Sequence, residues 1–422
     1  MVRKMKDSGV EWIGEIPEDW EVVRLKNIIF GIRTGVNPRE HFTLGEGNNY
    51  YVTIKNFKDG KLLLNEKCDN IADDALDFVN ARADLEKDDI LFSSISHEGH
   101  VFLIEEKPTN WTINESVFSI RPNKNVILPK LLSYILPKNY VFEELLMKQT
   151  GSTFKSIKQD HLENCLIVLP PKNEQDSIVH TVDRKVGEIN RIWSKISREI
   201  ITLEEYKKSV ITEAVTQGLD KNAEMKDSGI EWIGEIPKHW QIQRLKFVMD
   251  NLNHQRVPVD ATKRNQNSEV LYDYYGATGV IDKIDGYTSV GRNILIGEDG
   301  ANLIFRNLPL IYIADGKYWV NNHAHILHPK DGNLDFFAYQ METIDYSNYI
   351  TGAAQPKLNL ENLKKVNLVV PGKNEQEEIA NYLDKKCGTI DEVMAIKQNQ
   401  LSLLDEYKKS LIYEYVTGKR EV

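Results

Sequence analysis

The sequence predicts an α+β protein in which two α/β domains are separated by a long antiparallel two-helix coiled coil, with an approximate two-fold (circular) repeat. Three observations lead to this prediction. The stretch 172–216 returns at 373–417 with 19 identical positions of 45. The block 5–20 returns at 225–240 with 13 identical positions of 16. The segments between these repeats show short strand patterns broken by Gly and Asn, and so long a repeat period indicates two whole domains.

The two repeated 45-residue stretches are predicted to be amphipathic helices, because their apolar residues recur every three or four positions and the residues between are charged. Such a helix is roughly 60 Å long at ~1.5 Å per residue, too long to be buried against one small domain. Each copy is therefore predicted to pair with the other. The predicted seam consists of Ile178, Val182, Val186, Ile189, Ile192, Ile196, Ile200, Leu203, Tyr206 and Val210 in the first copy, and Ile379, Leu383, Cys387, Ile390, Val393, Leu401, Leu404, Tyr407 and Leu411 in the second.

The repeats divide the chain into four predicted segments. The first α/β domain, with its N-terminal conserved block, covers 1–171, and the first helix with its connection covers 172–224. The second α/β domain covers 225–371, and the second helix covers 372–422. The pattern of β-branched and apolar runs predicts strands at 50–54, 61–64, 89–92, 101–104, 270–272, 293–296 and 310–313, and helical patches at 131–147 and 334–344.

The composition is that of an ordinary folded protein, with 41% apolar and 27% charged residues. The sequence has no run of 18 apolar residues and no apolar segment near its first residues, so we expect a cytoplasmic protein without membrane association. The three cysteines are far apart and form neither a disulfide framework nor a zinc pattern. The formal charge of -10 argues against a protein that binds nucleic acid unaided, although the segment 238–370 is neutral, with 14 basic and 14 acidic residues.

The order of the motifs resembles that of the DNA specificity (S) subunits of type I restriction-modification systems. Each half has an Asp-Ser-Gly-x-Glu-Trp-Ile-Gly box, at 7–14 and 227–234, then a variable domain and a Pro-x-Lys-Asn-Glu-Gln helix start, at 170–175 and 371–376. The resemblance covers nearly the whole chain. Further similar stretches of the second domain are 276–280, 297–300, 319–323 and 352–359.

The resemblance implies a function that composition alone does not. In that family the variable segments are target recognition domains, and each reads one half of a split double-stranded DNA sequence. The helices form a spacer to which two methyltransferase (M) subunits dock, and restriction/translocase (R) subunits join for cleavage. The partner subunits would bring S-adenosylmethionine, ATP and Mg, and no cofactor is expected in this chain.

We expect a non-catalytic chain, because the sequence contains neither an Asn/Asp-Pro-Pro-aromatic loop nor a Gly-x4-Gly-Lys-Ser/Thr phosphate loop. Two patterns could hold a metal. Asp89 with 105–107 is a nuclease-like acidic set, but the second half has no counterpart. His323, His325 and His328 could suggest a metal, since alternate strand residues share a face, but no Cys or acidic ligand follows at useful spacing. We expect no metal, with His323 near DNA and the other two histidines packed.

Polar residues in Gly-containing loops are the candidate DNA contacts, because there a backbone can approach a groove and side chains can reach base edges or phosphates. The candidates are Lys55, Asn56, Ser93, Ser94, His97, Ser152, Lys155 and Lys158 in the first half, and Thr278, Arg292, Asn321, Asn322, His323, Gln355, Lys357 and Asn359 in the second. The repeated helix start predicts partner contacts at Glu174, Gln175, Glu375 and Gln376. The alternative function is a non-catalytic bivalent interaction scaffold that binds no nucleic acid.

Overall fold

The computed structural model describes residues 3–422 except 12, 40, 59, 66, 95–99, 138–144, 146–155, 265–268, 307 and 353–355. The chain forms two compact units. The first unit contains Met1–Lys195 and Gln400–Val422, and the second contains Ile196–Asn399. Each unit therefore has one α/β domain and one segment of each long helix.

The first α/β domain contains a four-stranded and a three-stranded sheet. Its strands are β1 (Met5–Asp7), β2 (Glu15–Pro17), β3 (Glu21–Arg24), β4 (Ile29–Thr34), β5 (Asn49–Val52), β6 (Phe57–Lys58), β7 (Lys61–Leu62), β8 (Asp69–Ile71), β9 (Ile90–Ser93), β10 (Val101–Leu103), β11 (Trp111–Ile113), β12 (Val117–Pro122) and β13 (Leu166–Leu169). The antiparallel four-stranded sheet has the order β10-β9-β12-β4. The three-stranded sheet has the order β11-β5-β8, with β11 and β5 parallel. β13 pairs with β3 and so joins the end of the domain to its beginning.

The second α/β domain repeats this topology. Its strands are β14 (Met225–Asp227), β15 (Glu235–Pro237), β16 (Gln241–Arg244), β17 (Met249–Asn251), β18 (Tyr272–Gly276), β19 (Gly279–Ile284), β20 (Ser289–Val290), β21 (Asn293–Gly297), β22 (Ile311–Ala314), β23 (Lys317–Val320), β24 (Ala324–Pro329) and β25 (Asn367–Val370). One sheet has the order β17-β24-β21-β22, and the other has the order β19-β18-β23-β20. The parallel pair of β18 and β23 corresponds to β5 and β11, and the pair of β16 and β25 corresponds to β3 and β13.

The helices include the two long ones that the sequence predicts. They are α1 (Asp73–Ala83), α2 (Pro129–Ile135), α3 (Gln159–Glu163), α4 (Lys172–Gln217), α5 (Leu245–Val248), α6 (Gly300–Phe305), α7 (Leu334–Thr343), α8 (Leu360–Leu363) and α9 (Lys373–Val416). The bounds of α4 and α9 agree with the prediction to within one residue. The predicted patch 334–344 corresponds to α7, and α2 covers the start of the predicted patch 131–147, most of the rest of which lies outside the described residues. In the part of the chain that the structure describes, no helix is both long and apolar enough to cross a membrane.

The two long helices run antiparallel within the second unit, as predicted. Lys397 of α9 pairs with Glu199 of α4, and Asp391 of α9 pairs with Lys207 of α4 at 2.7 Å. From the first of these ion pairs to the second, the residue number rises along α4 and falls along α9, so the two helices are antiparallel. The same unit packs Val210 and Val215 of α4 together with Ile379 and Leu383 of α9 in its hydrophobic core.

The first unit contains the complementary segments of the same helices. Ile178 and Val182 of α4 share a hydrophobic core with Leu411 and Val416 of α9 and with the apolar side chains of the first α/β domain. Lys408 donates a hydrogen bond to the side chain of Asn190 at 2.9 Å, which again fixes the antiparallel direction. Each α/β domain is therefore packed on the beginning of one long helix and the end of the other.

The predicted seam is wrong at four positions. Ile192 is 49% exposed, Tyr206 46%, Val393 37% and Tyr407 50%. Ile192 and Val393 occupy equivalent positions of the repeat, and so do Tyr206 and Tyr407. An α-helix has 3.6 residues per turn, so an apolar stripe with a spacing of three and four residues drifts around the helix over many turns. The spacing alone therefore does not decide which of these side chains contacts the other helix. These four side chains are defined here as the exposed apolar positions of the helices.

Candidate nucleic-acid interface

Four chain segments meet at one edge of the sheets in the second α/β domain. β18 and β23 run parallel, so the turn at 277–278 and the loop at 321–323 follow the same ends of these two strands and lie side by side. β21 pairs antiparallel with β24, which brings 297–299 beside that loop. The segment 357–359 lies against 298–299 and forms an isolated bridge there. These four segments are defined here as the strand-end cluster.

Backbone contacts hold the strand-end cluster together. The Glu298 N–H donates to the carbonyl of His323 at 2.7 Å, and the Leu358 N–H donates to the carbonyl of Glu298 at 2.8 Å. At Gly297, an added Cβ would lie 2.5 Å from the carbonyl oxygen of Ala277, so only glycine allows the turn to approach this closely. The loops that emerge at this edge are therefore packed against one another.

Charged side chains and the His323 ring lie in contact with one another in and beside the strand-end cluster. The Arg256 Nη1 is 2.9 Å from the Glu298 Oε2, and both side chains are only 19% exposed. The His323 Nδ1 is 3.0 Å from the Asp299 Oδ2, at ion-pair distance but outside hydrogen-bond geometry. The Lys357 Nζ is 3.7 Å from the Asp299 Oδ1 and 3.8 Å from the Glu298 Oε1. The Glu298 side chain is thus largely covered by its neighbours, whereas the side chains of Asp299, His323 and Lys357 are 45%, 45% and 40% exposed.

A buried histidine connects β24 to the segment 357–359. The Nδ1 of His325 accepts a hydrogen bond from the Asn253 side-chain amide at 2.8 Å, and its Nε2 donates to the Leu358 carbonyl at 2.7 Å. A carbonyl can only accept, so the proton of the neutral ring is assigned to Nε2. Burial lowers the pKa of His325 below its usual value. This histidine is packed, as predicted, and it positions the segment that contains Lys357.

The structure brings most of the predicted residues of the second half to one place. Thr278, Asn322, His323 and Lys357 all belong to the strand-end cluster, and Thr278 and Asn322 are exposed. Asn321 also lies there but is buried, and its Oδ1 accepts a hydrogen bond from the His323 N–H at 2.8 Å. Asn321 therefore shapes the loop rather than offering its side chain to solvent. Gln355 is outside the described residues.

Two predicted residues of the second half have structural partners. Asn359 is the N-cap of α8, where its Oδ1 accepts from the Asn362 N–H at 2.9 Å and its amide donates to Thr351 at 3.3 Å. Arg292 precedes β21 and so lies at the opposite end of that strand from the cluster. Both of its terminal nitrogens bind the Asp335 carboxylate, at 2.7 and 2.6 Å. Neither side chain is therefore free in the way that the sequence predicted.

The predicted residues of the first half divide into exposed and buried groups. Lys55 lies on the 3-10 turn Ile54–Asn56 and Lys158 precedes α3, and both are exposed. Asn56 is buried and its side chain caps the same turn, while Ser94 is buried and donates to a backbone carbonyl at 2.7 Å. Ser93 is also fully buried. Lys55 and Lys158 therefore lie on the surface, whereas Asn56, Ser93 and Ser94 do not. The remaining candidates His97, Ser152 and Lys155 lie outside the described residues.

Sequence reasoning missed three residues of the strand-end cluster region. Glu298 and Asp299 directly follow the buried strand β21, and this position after a buried strand was the available signal. Arg256 gave no such signal, because 42 residues separate it from its partner Glu298. Long-range pairs of this kind depend on tertiary structure alone.

The two glutamates of the repeated helix start bind tryptophans of the repeated blocks 5–20 and 225–240 and remain partly exposed. Glu174 accepts hydrogen bonds from Arg3 at 2.8 Å and from the Trp20 indole at 3.2 Å. Glu375 accepts from the Trp240 indole at 2.8 Å. The two repeated blocks are thus joined to the helices through matching contacts in the two units.

The two glutamines of the same motif are buried and bind backbone groups. The Gln175 Oε1 accepts from the Leu128 N–H at 2.8 Å, and its amide donates to the Val126 carbonyl at 2.9 Å. The Gln376 Oε1 accepts from the Asn333 N–H at 2.9 Å. The partner contact predicted for Glu174, Gln175, Glu375 and Gln376 stays a prediction, while the structure shows that the two glutamines are buried within the chain. Each copy of the motif fastens one α/β domain to its helix.

The acidic pattern that could have suggested a nuclease has a structural role in the first domain. Asp89 is buried and its carboxylate binds the Arg121 guanidinium at 2.9 Å. Among the described residues, no group of three or more His, Cys, Asp or Glu side chains is arranged to hold a metal ion.

The chain thus combines a duplicated α/β domain with two long antiparallel helices. A family model, the type I restriction modification DNA specificity domain, matches residues 17–201 and 237–403. The chain belongs to this family, whose members are non-catalytic specificity subunits.

Individual relatives agree with the family match along the full length. The chain is 26% identical over 429 residues to the MjaX specificity subunit of Methanocaldococcus jannaschii, covering 97% of this chain and 96% of the relative. It is 24% identical over 439 residues to the type I restriction enzyme MjaVIII specificity subunit of the same organism, covering 96% and 94%. A solved structure, from a study of complex assembly and conformational transition in the type I R-M system, has a similar fold with a TM-score of 0.69. It is 15% identical, and the match covers 96% of this chain and 99% of that one.

Proposed function

We propose that this chain recognises a split sequence in double-stranded DNA and directs methyltransferase and restriction subunits of a type I restriction-modification complex to it. The observation that supports this most is the convergence of Thr278, Asn322, His323 and Lys357 at one strand edge. Such side chains can donate to and accept from base edges in a groove, and the lysine can pair with phosphate. The repeated topology gives the first domain an equivalent role, with Lys55 and Lys158 as its exposed candidates.

The balance of charge at the strand-end cluster favours recognition within a larger complex. His323 and Lys357 lie beside the carboxylates of Glu298 and Asp299, so the cluster offers little excess positive charge. Affinity for DNA depends strongly on the number of phosphates that a protein neutralises. The methyltransferase subunits therefore supply much of the cationic surface, and with it S-adenosylmethionine, while the restriction subunits supply ATP and Mg-dependent steps.

The exposed apolar positions of the helices are the proposed docking surface for the methyltransferase subunits. Ile192 and Tyr407 belong to the first unit, and Tyr206 and Val393 are their repeat equivalents in the second. Equivalent apolar side chains in both units fit two copies of one partner. This surface is proposed in addition to the helix-start glutamates, which remain partly exposed, whereas the two helix-start glutamines are buried within the chain.

Selection from a pool of random duplexes tests the DNA proposal. The chain is purified with and without the methyltransferase subunit, bound duplexes are collected on filters at fixed salt, and their sequences are compared. Enrichment of two short motifs with a constant gap supports the proposal. If neither preparation enriches any motif, the protein is better explained as a bivalent scaffold that binds no nucleic acid.

A pair of charge substitutions tests the docking surface. Ile192→Glu with Val393→Glu places a charge at one exposed apolar position of each unit, and Val270→Glu, at a residue 56% exposed in the second α/β domain, is the matched control. The double variant is expected to lose co-purification with the methyltransferase, because a charge cannot be buried unpaired in an interface. The control is expected to retain it. If the wild type, the double variant and the control co-purified equally with the methyltransferase, this surface would be excluded as the docking site.

A further inference from the structure

The Asp299 carboxylate is placed unusually for an aspartate that precedes a helix. Asp299 is the residue directly before α6, the position at which an aspartate commonly accepts hydrogen bonds from the first backbone N–H groups. Its side chain makes no such cap, whereas Asn333 caps α7 and Asn359 caps α8 in the same domain. The carboxylate is therefore turned away from the helix that it could stabilise.

The same carboxylate lies at the surface beside the His323 imidazole and the Lys357 ammonium group. His323 and Lys357 approach it from opposite oxygens, at 3.0 Å and 3.7 Å, and its side chain remains 45% exposed. A carboxylate has about four acceptor positions, and these two neighbours leave at least one directed at solvent. Glu298, one residue earlier, differs because Arg256 occupies it and it is only 19% exposed. Asp299 is thus a partly exposed, acceptor-only group of the strand-end cluster.

An acceptor-only group can distinguish bases by their exocyclic amino groups. In the major groove, adenine presents the N6 amino group and cytosine the N4 amino group as donors, whereas guanine and thymine present oxygen acceptors at the equivalent positions. A carboxylate accepts from the first pair and is repelled by the second. The neighbouring Lys357 ammonium group reduces the repulsion between this carboxylate and the DNA phosphates, so the effect of Asp299 depends on the base that it meets.

We propose that Asp299 is a specificity-determining residue that accepts a hydrogen bond from the exocyclic amino group of one adenine or cytosine in the half-site read by the second domain. This inference rests on the proposed function and adds to it the chemical group that is read. Asp299 also acts against the wrong base, since guanine or thymine at that position would place two acceptors face to face.

The Asp299→Asn variant tests this inference in the complex with the methyltransferase subunit. The amide has the same shape but can both donate and accept, so discrimination at one position of the second half-site is expected to fall roughly 5- to 150-fold, the value of one good base contact. Selection from random duplexes measures this for wild type, Asp299→Asn and the control Glu361→Gln, which removes a carboxylate of α8 that pairs with Lys364. The control is expected to select the wild-type sequence.

Base analogues then identify which base is read. Replacing the selected adenine by purine, or the selected cytosine by 2-pyrimidinone, removes only the amino group. This change is expected to weaken wild-type binding and to leave Asp299→Asn binding nearly unchanged. An unaltered motif in the variant, or uniform weakening on all sequences, overturns the inference while leaving the split-site proposal intact. Failure of the wild-type protein to select any motif refutes the proposed function instead.

Discussion

The buried Gln175 provides a direct test of whether the repeated helix start fastens a domain or binds a partner. Its side chain is fully buried and makes three hydrogen bonds to backbone groups, with Leu128, Val126 and Pro170. Gln175→Leu keeps the volume and removes all three. Each backbone group left without a partner costs roughly 1–2 kcal/mol, and the added apolar burial returns about 1 kcal/mol. The expected loss in the free energy of unfolding is therefore roughly 2–5 kcal/mol.

Urea unfolding of the full chain measures this loss, and hydrogen exchange of the peptide around α2 locates it in the first unit. Asn173→Leu is the matched control, because Asn173 lies two residues earlier in the same motif and is exposed. Its effect is expected to stay within about 0.5 kcal/mol. If Gln175→Leu also changed stability by less than about 0.5 kcal/mol but abolished co-purification with the methyltransferase, the fastening role would be refuted and a partner contact established.

Three further predictions concern the second domain. Burial lowers the pKa of His325, so the folded form disfavours its protonation, and the stability of the second unit is expected to be full above pH ~6.5 and to fall as the pH drops below it. Urea unfolding between pH 5 and 7.5 would show this, and His325→Gln should flatten the dependence. Lys357→Ala is expected to weaken binding to the second half-site by about 1–3 kcal/mol and to leave binding to the first half-site unchanged. Equal weakening at both half-sites would contradict the prediction that the two domains read DNA independently. Asn359→Ala is expected to cost about 1 kcal/mol of unfolding free energy through the lost cap of α8, and a selection experiment that shows altered base preference without this loss would contradict that role.

Much of the fold was predictable, because the signals that define it are local or repeated. The spacing of apolar residues determines α4 and α9, whose observed bounds agree with the sequence to within one residue. The repeated blocks predicted two domains of one topology, and the parallel strand pairs in both domains confirm it. The antiparallel direction of the helices also followed from the repeat. When two helices of repeated sequence pair antiparallel, each end of the pair combines the start of one helix with the end of the other, so both halves can make equivalent contacts.

The candidate site was predictable only in part. Thr278, Asn322, His323 and Lys357 were selected from Gly-containing loops, and the structure gathers them because β18 and β23 are parallel while β21 and β24 are antiparallel. Composition gives no information on strand direction. Loop chemistry also did not distinguish exposed residues such as Lys55 from buried ones such as Ser94, because hydroxyl and amide groups serve turns as readily as ligands.

The sequence by itself determined the duplicated plan of this protein, its long helices and the family to which it belongs, because periodicity and repetition are properties of residue order. The tertiary structure decided the direction in which each side chain points. It turned Gln175 and Gln376 inward, left Ile192 and Tyr206 uncovered, and placed Asp299 between His323 and Lys357. The physical reason is that burial and pairing depend on which segments meet in space, and residues 299 and 357 meet only after separate strands and loops have packed together.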